Sequence, residues 1–124
     1  MLKFVVVFVG GGIGAAMRYW MDGAVQRWTG SGLPYGTFVV NSLGCLIIGV
    51  LMTTLEERFL GNPALRIFLT IGFLGGFTTF STFSYETVEM IRGAEYFYAA
   101  VNVSLTVISC LAATYVGTII GKIF

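Results

Sequence analysis

Gly72-Phe73-Leu74-Gly75-Gly76-Phe77-Thr78-Thr79-Phe80-Ser81-Thr82-Phe83-Ser84 lies inside an otherwise apolar segment and reads unlike the rest of it. Three glycines, which favour neither helix nor strand interiors, precede five hydroxyl side chains in seven positions, with Phe80 and Phe83 between them. A plain membrane helix needs no such run. Backbone released from helical bonding at membrane depth is tolerated only where protein buries it or where it lines a wet cavity. The stretch therefore predicts a third helix broken mid-membrane at a functional site. The alternative is a glycine kink whose Ser and Thr side chains bond back to their own helix.

Working outward, charge spacing marks the other spans. Of the 124 residues 10% are charged and 56% hydrophobic, too little polar surface for a chain that must face water. No charge interrupts Trp28 to Leu55, Ile67 to Tyr85 or Tyr96 to Gly121, each long enough for a hydrocarbon core that asks for about 20 apolar residues. The first segment, roughly Lys3 to Gly23, carries Arg18, which can reach toward the interface, with Asp22 one helical turn on as a partner. Lys3 and the glycine run imitate a signal peptide, but Arg18, Tyr19 and Trp20 continue as a membrane border does, so this segment counts as a span. The expectation is an all-α membrane protein, one domain over residues 1–124 with four transmembrane helices. A bundle so thin is better completed by a second copy.

Gly10 with Gly14, and Gly11 with Ala15, form small-xxx-small pairs that let another helix approach closely. The same letters imitate a dinucleotide fingerprint, but no acidic residue follows about 20 positions on and strands do not alternate with helices. In the second segment, Thr37 to Leu55, Asn41 is the strongly polar interior residue; its amide faces either a water path or an interhelical hydrogen bond. Glu86 stands either at the mouth of a path or as a solvated interface residue. On the fourth segment Thr106, Cys110, Thr114, Gly117 and Gly121 share one broad stripe, with Ser104 opposite, which suits a close helix contact or a track of weak donors. Cys45 and Cys110 sit deep in apolar segments and read as small packing residues, neither a disulfide nor a metal site. Without histidine or a cysteine cluster, a transition-metal centre is not expected.

No nucleophile–base set, paired carboxylates or nucleotide loop can be assembled, which argues against an enzyme. No carboxylate stands mid-span for proton-coupled export. What remains is an uncharged polar lining of hydroxyls, an amide and phenyl rings. Neutral donors hold an anion weakly enough to release it, and phenyl edges carry the positive part of the ring quadrupole. The residues alone therefore indicate a small-ion pathway, anions favoured, without choosing among halides.

Asn41 in Gly36-Thr37-Phe38-Val39-Val40-Asn41, together with the run 72–84 and Glu86 two residues on, resembles the Fluc/CrcB family of fluoride channels. The similarity extends over nearly the whole chain. It implies an antiparallel, dual-topology homodimer in the inner (plasma) membrane, passively exporting fluoride through two pores. It implies that Phe80 and Phe83 meet the anion by their ring edges and that Asn41 donates into the pore beside the hydroxyls of Ser81 and Thr82. Thr106, Cys110 and Thr114 would form the polar track, Cys110 standing where a serine is expected, with Glu86 at the vestibule. The family also implies a structural Na⁺ on the dimer axis, held by carbonyls of Gly75 and Thr78 from each subunit. A four-span multidrug exporter, the main rival, calls for a glutamate embedded in the first span, and none precedes Asp22. A non-transporting assembly subunit would explain the small-residue faces but not the polar run.

The basic residues speak to orientation independently. Lys3, Arg58, Arg66 and Lys122 fall on one side and Arg18, Arg27 and Arg92 on the other, nearly no bias under the positive-inside rule. Reporter tags on the C-terminus are expected on both sides of the membrane; accessibility from one side alone would defeat dual topology.

Overall fold

The computed structural model describes residues 1–30, 32–57 and 62–124. Helix α1 spans Leu2–Thr29, α2 Tyr35–Glu57, α3 Pro63–Ile67, α4 Gly75–Phe77, α5 Phe80–Arg92 and α6 Tyr96–Ile123, with a π-helical segment over Phe68–Leu74 joining α3 to α4. Among the described residues, four stretches are long and apolar enough to cross a membrane: Leu2–Thr29, Tyr35–Glu56, Pro63–Arg92 and Tyr96–Ile123. Arg58, weighed above for orientation, lies outside the described residues.

Helix α1 runs past Gly23, further than expected, because the stop comes at Gly30. There φ is 62°, the left-handed conformation in which glycine costs least, and the Gly30 N–H closes the helix on Gln26 O at 3.0 Å. The Gln26 side chain then ties down the turn to α2: its Nε2 donates to Leu33 O at 2.8 Å and its Oε1 accepts from Gly36 N at 3.2 Å. Asn62 caps α3 by accepting from the N–H groups of Ala64 and Leu65, and Pro63 takes the first helical position, where its missing donor is not needed.

The bundle is organised as two close pairs, α2 with α6 and α1 with the π segment and α4. Glycine sets both contacts. A Cβ on Gly14 would run into Phe73 O, and one on Gly10 would come within 2.8 Å of Phe68 O. On the other pair, a Cβ on Gly117 would collide with Leu46 O and one on Gly49 with Thr114 O. Lipid tails are as apolar as leucine, so close backbone approach and dispersion must supply what water exclusion supplies elsewhere. The two pairs meet around Val40, Leu74 and Phe77, all buried, with Met21, Leu43 and Ile47 packed against them. On α6 the expected stripe is realised: Thr106, Gly117 and Gly121 are buried and Ser104 is exposed.

Gly14→Val and Gly117→Val are expected to destabilise the fold by about 1–3 kcal/mol each or more, since backbone and not a pliable side chain occupies the space. Gly12→Ala, whose Cβ would meet nothing within 4 Å, is expected to leave stability nearly unchanged. Thermal unfolding of detergent-solubilised protein compares the three.

Candidate functional site

Between α4 and α5 the backbone leaves helical geometry for two residues. Thr78 has φ −85° and ψ 156°, and Thr79 φ −150° and ψ 113°, both extended. Several of the freed polar groups find new partners. Thr78 N and Thr78 Oγ1 both donate to Leu74 O, at 3.0 and 2.9 Å, and so close the preceding turn. Asn41, reaching across from α2, grips Thr79 twice: its Nδ2 donates to Thr79 O at 2.9 Å, and its Oδ1 accepts from Thr79 N at 2.8 Å. Thr79 Oγ1 in turn caps α5 by accepting from Thr82 N at 3.2 Å. Arg18, on α1, donates from Nε to Gly76 O at 3.0 Å. It therefore does not pair with Asp22 as the spacing suggested; among the described residues the one ion pair joins Arg92 to Glu89.

These diversions leave two carbonyls without their helical donors. An uninterrupted helix would direct Thr79 N–H to Gly75 O and Thr82 N–H to Thr78 O. Here the first goes to Asn41 and the second to the Thr79 hydroxyl. Gly75 is exposed, and nothing lies within 4 Å of where its Cβ would stand.

An open groove of about 480 Å³ runs beside these residues. It brings together Asn41, Phe80, Phe83, Thr106 and Cys110, as well as Gly75 and Thr78. Among the described residues, no charged side chain lines it. The two phenylalanine rings are 5.4 Å apart between centroids and inclined at 55°, but their settings differ: Phe83 is buried and Phe80 is 77% exposed.

Ser81, Thr82, Thr114 and Glu86 do not line the groove. The Thr114 hydroxyl is turned onto α2, donating to Cys45 O at 3.2 Å. Thr82 Oγ1 accepts from the Thr79 hydroxyl at 3.0 Å, and Ser81 Oγ lies 3.3 Å from that same oxygen. Glu86 lies beyond the groove, where Thr37 Oγ1 donates to its Oε2 at 3.1 Å; its Oε1 is buried with no hydrogen-bond partner among the described residues.

Three polar contacts went unseen in the sequence. Thr37 stands one turn before Asn41 on the same face of α2, and that spacing was the available signal. Asn102 Nδ2 donates to Thr87 Oγ1 at 3.0 Å, joining α6 to α5. Cys45 and Cys110 are both free and line the same groove, with Ser42 Oγ 3.9 Å from Cys110 Sγ. Arrangements of this kind offer an ion hydroxyl, amide, thiol and ring-edge partners without a fixed charge.

The model of a family described as CrcB-like protein, Camphor Resistance (CrcB), matches residues 5–118. A protein of Geotalea uraniireducens named fluoride-specific ion channel FluC is 45% identical over 96% of this chain and 94% of its own length. Proteins of the same name from Geobacter metallireducens and from Coxiella burnetii strain CbuK_Q154 are 45% and 42% identical, each over 98% of both chains. With end-to-end likeness of this kind and four apolar helices around the clasped turn at Thr79, the chain belongs to the CrcB-like family.

Proposed function

We propose that this protein is a fluoride-specific channel and not an enzyme, working as an antiparallel homodimer with two pores that let fluoride leave the cytoplasm passively across the inner membrane. The observation that carries the reading is the groove: a mostly apolar lining, uncharged among the described residues, with the Asn41 amide and the hydroxyl residues Thr79 and Thr106 set in it, at the point where the third apolar span leaves helical geometry. The names borne by relatives matched from end to end support the choice of fluoride.

The physical task is to replace the hydration of a small anion without trapping it. A neutral hydrogen bond contributes roughly 1 kcal/mol net and a charge-assisted one about twice that, so a lining without Lys or Arg favours passage over retention. Phe80 and Phe83 offer ring edges, and Thr106 and Cys110 offer weak donors along α6. Asn41 has one amide hydrogen left after gripping Thr79, and that hydrogen is its donor to the ion. With their hydroxyls at the α5 cap, Ser81 and Thr82 serve the pore by fixing the start of that helix. Thr114 fixes α6 on α2, and Glu86 with Thr37 forms the vestibule beyond.

A second copy supports this scheme because one chain leaves the groove open on the side where Phe80 and Gly75 are exposed. Facing copies would seal it and set the Gly75 and Thr78 carbonyls of both chains about a common axis. Four carbonyl oxygens without helical donors suit a hard monovalent cation such as Na⁺. When bound, that ion would neutralise the converging carbonyl dipoles and hold the two chains together.

Fluoride efflux from proteoliposomes, followed with an ion-selective electrode and with chloride as the control, tests the channel. Phe80→Ile and Phe83→Ile are each expected to cut fluoride flux roughly tenfold or more while the dimer stays assembled. Undiminished flux in both would remove the rings from the mechanism, and no fluoride selectivity in the parent would overturn the reading. For the cation, raising Na⁺ to about 100 times its dissociation constant is expected to stabilise the protein by about 2.7 kcal/mol against N-methylglucamine as the replacement. Equal melting curves in the two cations would exclude the site.

A further inference from the structure

Helices α5 and α6 both line the groove, one with Phe83 and the other with Thr106, so the gap between these helices is part of its width. Among the described residues no glycine brings α5 and α6 into backbone contact, as Gly49 and Gly117 do for α2 and α6. A short turn holds the far end of the pair: Ala94 N donates to Ile91 O at 3.0 Å and Glu95 N to Met90 O at 2.8 Å. Between that turn and the groove a second cavity of about 120 Å³ opens beside Asn102, with Phe38, Met90 and Leu105 in its walls, so close packing does not fix the spacing there either. What joins the helices at this level is a rung of two hydrogen bonds. Asn102 Nδ2 donates to Thr87 Oγ1 at 3.0 Å, and the same hydroxyl donates to Phe83 O at 2.8 Å.

We infer that Asn102 is a positioning residue, acting through the Thr87 hydroxyl to hold Phe83 at a fixed distance from Thr106, and that this distance sets which anions the groove admits by size. The size selection rests on the fluoride-channel reading; the positioning rests on geometry alone. Thr87 stands one turn after Phe83 on α5, and Asn102 one turn before Thr106 on α6, so the rung spans the helices about one helical pitch, roughly 5.4 Å, from the gap. A threonine that bonds back to its own helix is ordinary; the amide arriving from a second helix makes it a link. Donor count fixes the roles. With its one hydrogen spent on Phe83 O, the Thr87 hydroxyl has only lone pairs to offer α6, and an amide N–H is a group that can meet them. Hydrogen bonds in series polarise one another, and in an apolar surround a donor that loses its acceptor has no water to turn to. On the other side of the rings the Asn41 amide holds Thr79. The helix that carries Phe83 is therefore clasped by two amides, one from α2 and one from α6, at the residues four before Phe83 and four after it.

The positioning half of the test does not depend on conduction. Phe83 is replaced by 4-fluorophenylalanine in the folded, detergent-solubilised chain and followed by fluorine NMR. One resonance is expected in the parent and with Thr87→Ser, which keeps the hydroxyl. A displaced or split resonance is expected with Asn102→Leu and with Thr87→Val, which remove the donor and the relay at little change of volume. An unmoved resonance in both would overturn the positioning. In proteoliposomes carrying the natural Phe83, the ratio of fluoride to chloride efflux is expected to fall about fivefold or more with Asn102→Leu and with Thr87→Val, the factor that one lost hydrogen bond corresponds to, and to stay at the parent's value with Thr87→Ser. Both substitutions together should lower it no further, because they break one relay. Losses that multiply would mean independent effects and would overturn the relay. A lowered melting temperature with an unchanged ratio would make Asn102 a structural residue only and would overturn its part in selectivity. A parent that conducts no fluoride would refute the channel reading and the size selection with it, while the resonance would still decide the positioning.

Discussion

Two hydrogen bonds between the Asn41 amide and the backbone of Thr79 are what the rest of the molecule depends on. A chain that leaves helical geometry inside an apolar span must find partners for the groups it frees, at several kcal/mol for each group left without one. Asn41 meets both demands of Thr79 from a neighbouring helix. In doing so it takes the N–H that would have covered Gly75 O, so the bond that makes the turn tolerable also bares an oxygen. The tolerated break and the bared carbonyl are two results of one contact.

The two close helix pairs explain how that contact is held in place. Helix α2 is fixed against α6 through Gly49 and Gly117, and α1 against the π segment and α4 through Gly10 and Gly14. Arg18 extends the second pairing to the end of α4 by covering Gly76 O. Without water to drive helices together, their relative placement rests on such close approaches, and a groove between pairs keeps its shape as long as neither slides.

Much of this was legible in the residues. Charge spacing located three apolar spans and the border at Arg18, Tyr19 and Trp20 a fourth, the small-xxx-small pairs on α1 and the Gly117–Gly121 end of α6 announced close packing, and the run 72–84 marked the region of the groove. Bonding was the harder part. An amide at position 41 says that it needs partners, yet nothing local says they are one threonine's N–H and C=O from 38 residues away. Arg18 read as a partner for Asp22 because i, i+4 spacing is visible in one dimension; its real acceptor, Gly76 O, is a main-chain atom without a sequence signature. That Cys45 and Cys110 line one groove is hidden for the same reason, since it depends on the register of α2 on α6.

The π segment over Phe68–Leu74 ties together parts of the chain that are far apart in sequence. A π turn is wider than an α turn because each N–H reaches back five residues, and the width sends the Phe68 and Phe73 carbonyls into the space that Gly10 and Gly14 leave empty. The bulge and the bare flank of α1 are therefore complementary shapes, some sixty positions apart. Neither surface can be altered alone without loss of fit: a methyl added to one side would have to be met by a tightened coil on the other.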